Sequence, residues 1–254
     1  MLRTSAPLIG TLGFMKDTIA MFESLDLGFP GVEIGAEQSA IDTFVEHLPE
    51  YVRYASAQYI LREKHALDKN SARYPPDEYI WELNGIEARA ERDIPQFYYR
   101  HACVMLWTHF EWSGKRLLQY AAEHNPEQPP LGSKMHGLKA PTFSKQMRRY
   151  YQKEFGEPRI LKEESWATLD HLNVIRSAIA HTNGALRGMT PKKRHSLDGA
   201  VENTPGVSIK HDALKLHMEC IINWHTCVTE SIQCFINYFA RTHPGAAAFG
   251  RHET

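Results

Sequence analysis

Residues 166–184, WATLDHLNVIRSAIAHTNG, decide how the chain is read. Leu169, Leu172, Ile175 and Ile179 recur at steps of three and four, which lines one side of an α-helix with core-facing groups. Asn183-Gly184 then ends the helix, because both residues accept the left-handed backbone of a helix C-terminus. The same period runs through most of the sequence. Before this stretch it predicts a short helix over 17–27, closed by Gly28 and Pro30, and a helix from Gln38 to about Lys69 that Pro49 kinks or splits. After Pro75-Pro76 it predicts a helix from Asp77 to about Arg92, then a long apolar one from Gln96 to about His124, its start marked by Pro95. A loop over 125–141 leads to a basic helix from Thr142 to Phe155. Beyond the quoted stretch, residues 185–206 read as a polar loop and 207–209 as an extended piece without a partner strand. His211 to about Ala240 reads as the last helix, stopped by Pro244-Gly245. The expected fold class is all-α.

Composition agrees with a folded globular protein: 43% of the 254 residues are apolar and 23% charged. No run approaches the roughly 18 apolar residues that span a bilayer, and the N-terminus lacks the h-region of a secretory leader. There are four cysteines. Cys220, Cys227 and Cys234 recur seven apart on one helix, about 10 Å from each other, too far to form disulfides. This favours a reducing compartment, and the expected location is cytoplasmic. No CxxC pair and no i, i+4 histidine pair suggest a metal site. A glycine-rich phosphate loop and a nucleophile elbow are also missing.

The net charge of −1 hides a division. Residues 1–95 hold 9 Lys/Arg against 16 Asp/Glu, and residues 96–254 hold 20 against 14. Either the basic part meets an anionic partner such as nucleic acid, or the two parts, or two protomers, attract each other. The expected organisation is an acidic helical extension over 1–94, a basic helical bundle over 95–241 and a tail over 242–254.

Within the quoted helix, Arg176 and His181 are separated by four residues. With 16 Arg and 14 His in the chain, about one such pair arises by chance. The context is what singles this one out: a helix with a core face, Asn-Gly just beyond the histidine, and a basic segment further on. The run IRSAIAHTNG resembles the signature helix of HEPN domains, a family of α-helical bundles. The order of a long helix, a loop and helix, the motif helix and a final long helix is similar as well, over roughly residues 95–240.

The resemblance implies a metal-independent endoribonuclease without a cofactor, acting on RNA as a toxin or defence effector, with an antitoxin or regulatory protein as a possible partner. Arg176 and His181 match the motif arginine and histidine. Ser177 stands where the family usually carries Asn, Asp or His, and members with altered motifs include non-catalytic ones. An RNA- or protein-binding module is therefore the alternative reading. Glu111 resembles a polar residue that some members place near the motif.

The chemistry follows from the side chains themselves. RNA carries its nucleophile in the 2′-hydroxyl, so cleavage needs a proton acceptor and a cation for the developing phosphorane charge. Histidine supplies the first near neutral pH and arginine the second. Five steps along a regular helix leave the two side chains about 140° apart, so one copy does not easily aim both at one phosphate unless the helix end unwinds. A homodimer that pairs the motif helices across a two-fold axis would complete the site, as the resemblance to HEPN domains implies. Asn183, the loop cations Lys192, Lys193 and Arg194, and Arg148 and Arg149 with Lys145 and Lys153 on the helix before the motif, are the expected RNA contacts. Tyr150 and Tyr151 either stack on unpaired bases or sit half in the core beneath a solvated basic face.

Overall fold

The computed structural model describes residues 28–124 and 140–242. The helix expected over 17–27, most of the loop after His124 and the tail beyond Thr242 lie outside the described residues. Within them the protein is all-α with one small hairpin. The elements are α1 (Gly31–Lys69), a 3-10 turn (Ser71–Arg73), α2 (Pro76–His124), α3 (Phe143–Lys153), α4 (Glu163–Thr182), α5 (Pro191–Glu202), β1 (Val207–Lys210), β2 (Ala213–Leu216) and α6 (Met218–Thr242).

α1 and α2 are longer than their sequences suggest, and each carries a proline inside it, Pro49 and Pro95. A proline removes one hydrogen bond and normally breaks a helix. Here burial on either side holds the helix together. Leu48 and Val52 flank Pro49 in the core, and Ala90 and Gln96 are buried around Pro95. The expected division at residue 94 therefore falls inside one continuous helix. Moreover Ile34, Ile41, Val45, Leu48 and Val52 of α1 join the same apolar cluster as Leu106, Phe110, Leu172, Ile175, Trp224 and Phe235. Each of these large side chains contributes about 2 kcal/mol on leaving water.

Residues 191–202 form a helix rather than a loop. Pro191 occupies the first turn, where its missing N–H costs nothing, and Leu197 and Ala200 are buried one turn apart. The extended piece at 207–209 has a partner after all: β1 pairs antiparallel with β2, Val207 opposite Leu216 and Lys210 opposite Ala213. His211 and Asp212 make the turn with φ of 50° and 54°. Two left-handed residues suit a two-residue hairpin, though His-Asp is not the usual Asn-Gly signal. Because 213–216 pair as β2, the last helix starts at Met218 instead of His211. Gly206 leads in with φ +76°, and a Cβ there would lie 2.8 Å from the backbone nitrogen of Cys220.

The outer edge of β2 is closed by α2 and by the chain just after α4. Leu214 N–H donates to the Gly184 carbonyl at 2.8 Å. Arg100 Nη2 donates to the Leu214 carbonyl at 3.1 Å. One turn earlier, the Gln96 amide exchanges two hydrogen bonds with the Leu216 backbone, at 2.7 and 3.0 Å. The rise of one helical turn matches two residues of strand, so the two side chains act as a third strand and satisfy the edge.

A polar seam joins α1, α2 and α6. His109, 1% exposed, donates from Nε2 to Gln38 Oε1 at 2.9 Å. Gln38 donates to Asp42 and Thr229, and His225 bonds Asp42 at 2.7 Å. Burial pushes the His109 imidazole down to about 4; Asp42 opposes the shift and His225 adds to it. Glu37, 3.7 Å from Nδ1, is 45% exposed and too well solvated to reverse it. With the folded value depressed, the unfolded chain binds the extra proton first. Stability from this site is complete above about pH 6.5 and falls as the pH drops toward 4, by up to about 3 kcal/mol. Chemical denaturation of wild type and His109→Gln at pH 7 and pH 4.5 checks this: the variant loses much of the pH dependence. Equal slopes in both proteins would contradict it.

Candidate functional site

α4 carries both motif residues, and it is a regular helix through Thr182. Leu169, Leu172 and Ile175 are fully buried and Ile179 nearly so, which fixes the roll of the helix against the core. Arg176 points toward α2. Its guanidinium carbon lies 5.2 Å from the ring centre of Trp107, Nη2 is 3.6 Å from Glu111 Oε2, and Nε donates to Asn173 Oδ1 at 3.2 Å. The side chain keeps 29% of its surface in solvent. It is held on three sides and open on the fourth.

Glu111 organises this end. It accepts the Trp107 indole N–H at 2.9 Å and the Lys115 ammonium at 2.6 Å. Burial pushes its carboxyl up, but the hydrogen bond and charge of Lys115, the indole N–H and Arg176 together hold it below the usual carboxylate range. Because Trp107 is 1% exposed, Glu111→Ala strands the indole N–H and costs about 1–2 kcal/mol. Glu111→Gln retains an acceptor and costs less. Thermal melts of the two variants separate these outcomes, and equal losses would show that the indole contact is not what matters.

His181 lies in the last turn of α4, is exposed, and has no side-chain partner among the described residues. Ser177 is half-buried, likewise without one. Asn183 closes the helix in the left-handed conformation at φ 51°, its N–H donating to Ile179 at 2.8 Å. Gly184 follows at φ +75°, and a Cβ there would meet the Arg100 guanidinium at 3.2 Å. Arg100 also reaches Asn183 Oδ1 at 3.4 Å. It is the residue sequence reasoning missed: a half-buried cation on α2 that ties the end of the motif helix to the hairpin. Its only advance signal was a position four residues after Gln96.

The other expected contacts divide. Lys192 and Lys193 are exposed in the first turn of α5 and have no ion-pair partner among the described residues. Cations at a helix N-terminus oppose its dipole, so an anion there relieves them. Arg194, in contrast, belongs to α5 and is tied to Asp198 at 3.0 Å and Asp212 at 3.5 Å. Arg148 is bonded to Glu163, while Arg149 is exposed. The tyrosines are not available for base stacking: Tyr150 and Tyr151 are 1% and 0% exposed, and Tyr151 stacks on Phe235 at 4.7 Å. On an eleven-residue helix with four cations, the aromatic side had to be the core side.

Because Ala185 bridges Ala213 and Arg194 reaches Asp212, the end of α4, the start of α5 and the hairpin turn are neighbours. This brings exposed Arg187 and Lys210 to the same end of the molecule as His181, Lys192 and Lys193. Neither Arg187 nor Lys210 stands out in the sequence, since only the hairpin gathers them. A cleft of about 330 Å³ lies elsewhere, between α4, the end of α5 and α6, with Glu164, His171, Trp224 and Glu230 in its walls. His171 is ten residues before His181, about 15 Å along the helix, and no Lys or Arg lines the cleft. Its chemistry does not suit phosphate.

Among the described residues no group of three or more His, Cys, Asp or Glu is placed to hold a metal ion, and no helix is long and apolar enough to cross a membrane. Compared with protein-family models, curated proteins and solved structures, the chain matches none of them.

Proposed function

We propose that this protein is an RNA-cleaving enzyme of HEPN type, in which Arg176 of one copy and His181 of another act on one phosphodiester. The observation that carries the reading is the contrast between the two groups: a guanidinium braced by Trp107, Asn173 and Glu111 yet open to solvent, and an unpartnered imidazole at a cation-rich helix end. His181 takes the 2′-hydroxyl proton or protonates the leaving 5′-oxygen, and Arg176 holds the phosphorane oxygens. The products are a 2′,3′-cyclic phosphate and a 5′-hydroxyl. Lys192, Lys193, Arg187 and Lys210 track the RNA backbone. Purified protein incubated with RNA in EDTA tests the reading, with the cyclic phosphate end identified by mass spectrometry.

A second reading is a non-catalytic HEPN-like module that binds RNA or protein. It is favoured by the Glu111 carboxylate beside Arg176, which partly neutralises the clamp, and by Ser177 in place of the usual Asn, Asp or His. Salt-sensitive RNA binding with no cleavage product would choose it.

A further inference from the structure

Trp107, Glu111 and Lys115 follow one another four residues apart on α2, so each side chain lies one turn above the last. Glu111 ahead of Lys115 is the order in which such a pair attracts best. The carboxylate divides its two oxygens between these neighbours. Oε2 accepts the Trp107 indole N–H at 2.9 Å, and Oε1 accepts the Lys115 ammonium at 2.6 Å. Arg176 Nη2 is left 3.6 Å from Oε2, too far for a hydrogen bond. A guanidinium carries five N–H groups, and Nε spends one of them on Asn173. Among the described residues, those on the two terminal nitrogens have no acceptor within hydrogen-bond distance.

An arginine and a carboxylate this near each other normally close into two parallel hydrogen bonds of about 2.7–2.9 Å. Here the pairing is incomplete, and two contacts account for it. The indole pins Oε2, while Lys115 draws away Oε1, the oxygen that would have to turn to complete the fork. We infer that Lys115 is a positioning residue of the RNA site: it holds the Glu111 carboxylate off the Arg176 fork, so that a substrate phosphate meets the fork unspent. The inference rests on the proposed RNA reading and deepens it by naming what keeps the clamp open. Without Lys115, Glu111 turns about its indole bond and closes on Arg176. It then competes with phosphate, because both oxyanions take the fork through two bonds.

A double-mutant cycle on the full chain tests this, read by affinity for a short RNA whose 2′-hydroxyls are methylated and by cleavage of the unmodified RNA. Lys115→Met removes the ammonium but keeps the stem over the Phe143 ring, where Nζ now lies 5.6 Å from the ring centre. Lys115 is 56% exposed, so circular dichroism of the variant should match wild type. Affinity and cleavage should both fall about tenfold, the worth of one charge-assisted contact. Lys115→Arg, which still holds Oε1, should stay near wild type. Glu111→Gln keeps an acceptor for the indole and removes the competitor. It should shift wild type by only about twofold yet restore most of what Lys115→Met loses, a non-additivity that a merely charged or merely structural lysine does not produce. An unchanged Lys115→Met, or an equal gain from Glu111→Gln in both backgrounds, would overturn the role of Lys115 and leave the RNA reading standing. The full pattern in binding, with no protein cutting RNA, would support Lys115 and defeat only the cleavage. A wild type that neither binds nor cuts RNA would remove both.

Discussion

Arg176→Ala and His181→Ala should each lower RNA cleavage by at least about a hundredfold, the usual loss when a proton-transfer group or a charge-stabilising donor is removed. The two variants differ in what else they disturb. His181 is exposed and unpartnered, so its removal should leave the melting temperature within a degree or two of wild type. Arg176 covers Trp107 and neutralises Glu111, so its removal should cost about 1 kcal/mol in stability. A cleavage assay run with thermal melts therefore distinguishes a lost catalytic group from a loosened fold. Arg176→Lys sharpens the test. It keeps the charge but loses the planar fork, and should recover stability more than turnover. Full cleavage by either alanine variant would end the assignment.

The second large effect concerns the scaffold. Gln96→Leu should destabilise the protein by about 3 kcal/mol, although it replaces a side chain of similar size by an apolar one in a site only 9% exposed. Both Leu216 backbone groups that Gln96 satisfies would be left without partners, and Leu216 is itself fully buried. A buried donor and a buried acceptor stranded together cost about 1–3 kcal/mol each. Urea denaturation reads the loss, and amide exchange localises it: Leu214 and Leu216 should lose protection before the core of α2 does. A change below about 1 kcal/mol would mean that water reaches this edge.

The sequence made the core of α4 and its stop at Asn183-Gly184 legible, because a helical period and a left-handed cap are local properties. The same logic found α3 and the long runs of α1 and α2. It failed where tertiary burial overrode a local signal. Pro49 and Pro95 looked like breaks, and only packing of Leu48, Val52, Ala90 and Gln96 around them keeps the helices whole. The hairpin escaped because its turn, His211-Asp212, lacks the usual glycine. With the hairpin went the means of seeing that Arg100, Arg187 and Lys210 gather near His181. For Tyr150 and Tyr151 the core reading holds, because helical spacing sets them with Met147 opposite Lys145, Arg149 and Lys153. The Glu111 contact was legible only as a resemblance; that it braces Arg176 and Trp107 together is a matter of distances between two helices.

A subunit-mixing assay tests the composite site most directly. Arg176→Ala and His181→Ala chains, each inactive alone, are unfolded together and refolded at equal concentration, then given RNA in EDTA. If one site takes its guanidinium and its imidazole from different copies, half of the dimers are mixed and each holds one intact site of two. Cleavage should then return to about a quarter of the wild-type rate. No recovery, with mixed dimers confirmed by mass spectrometry, would contradict the composite site.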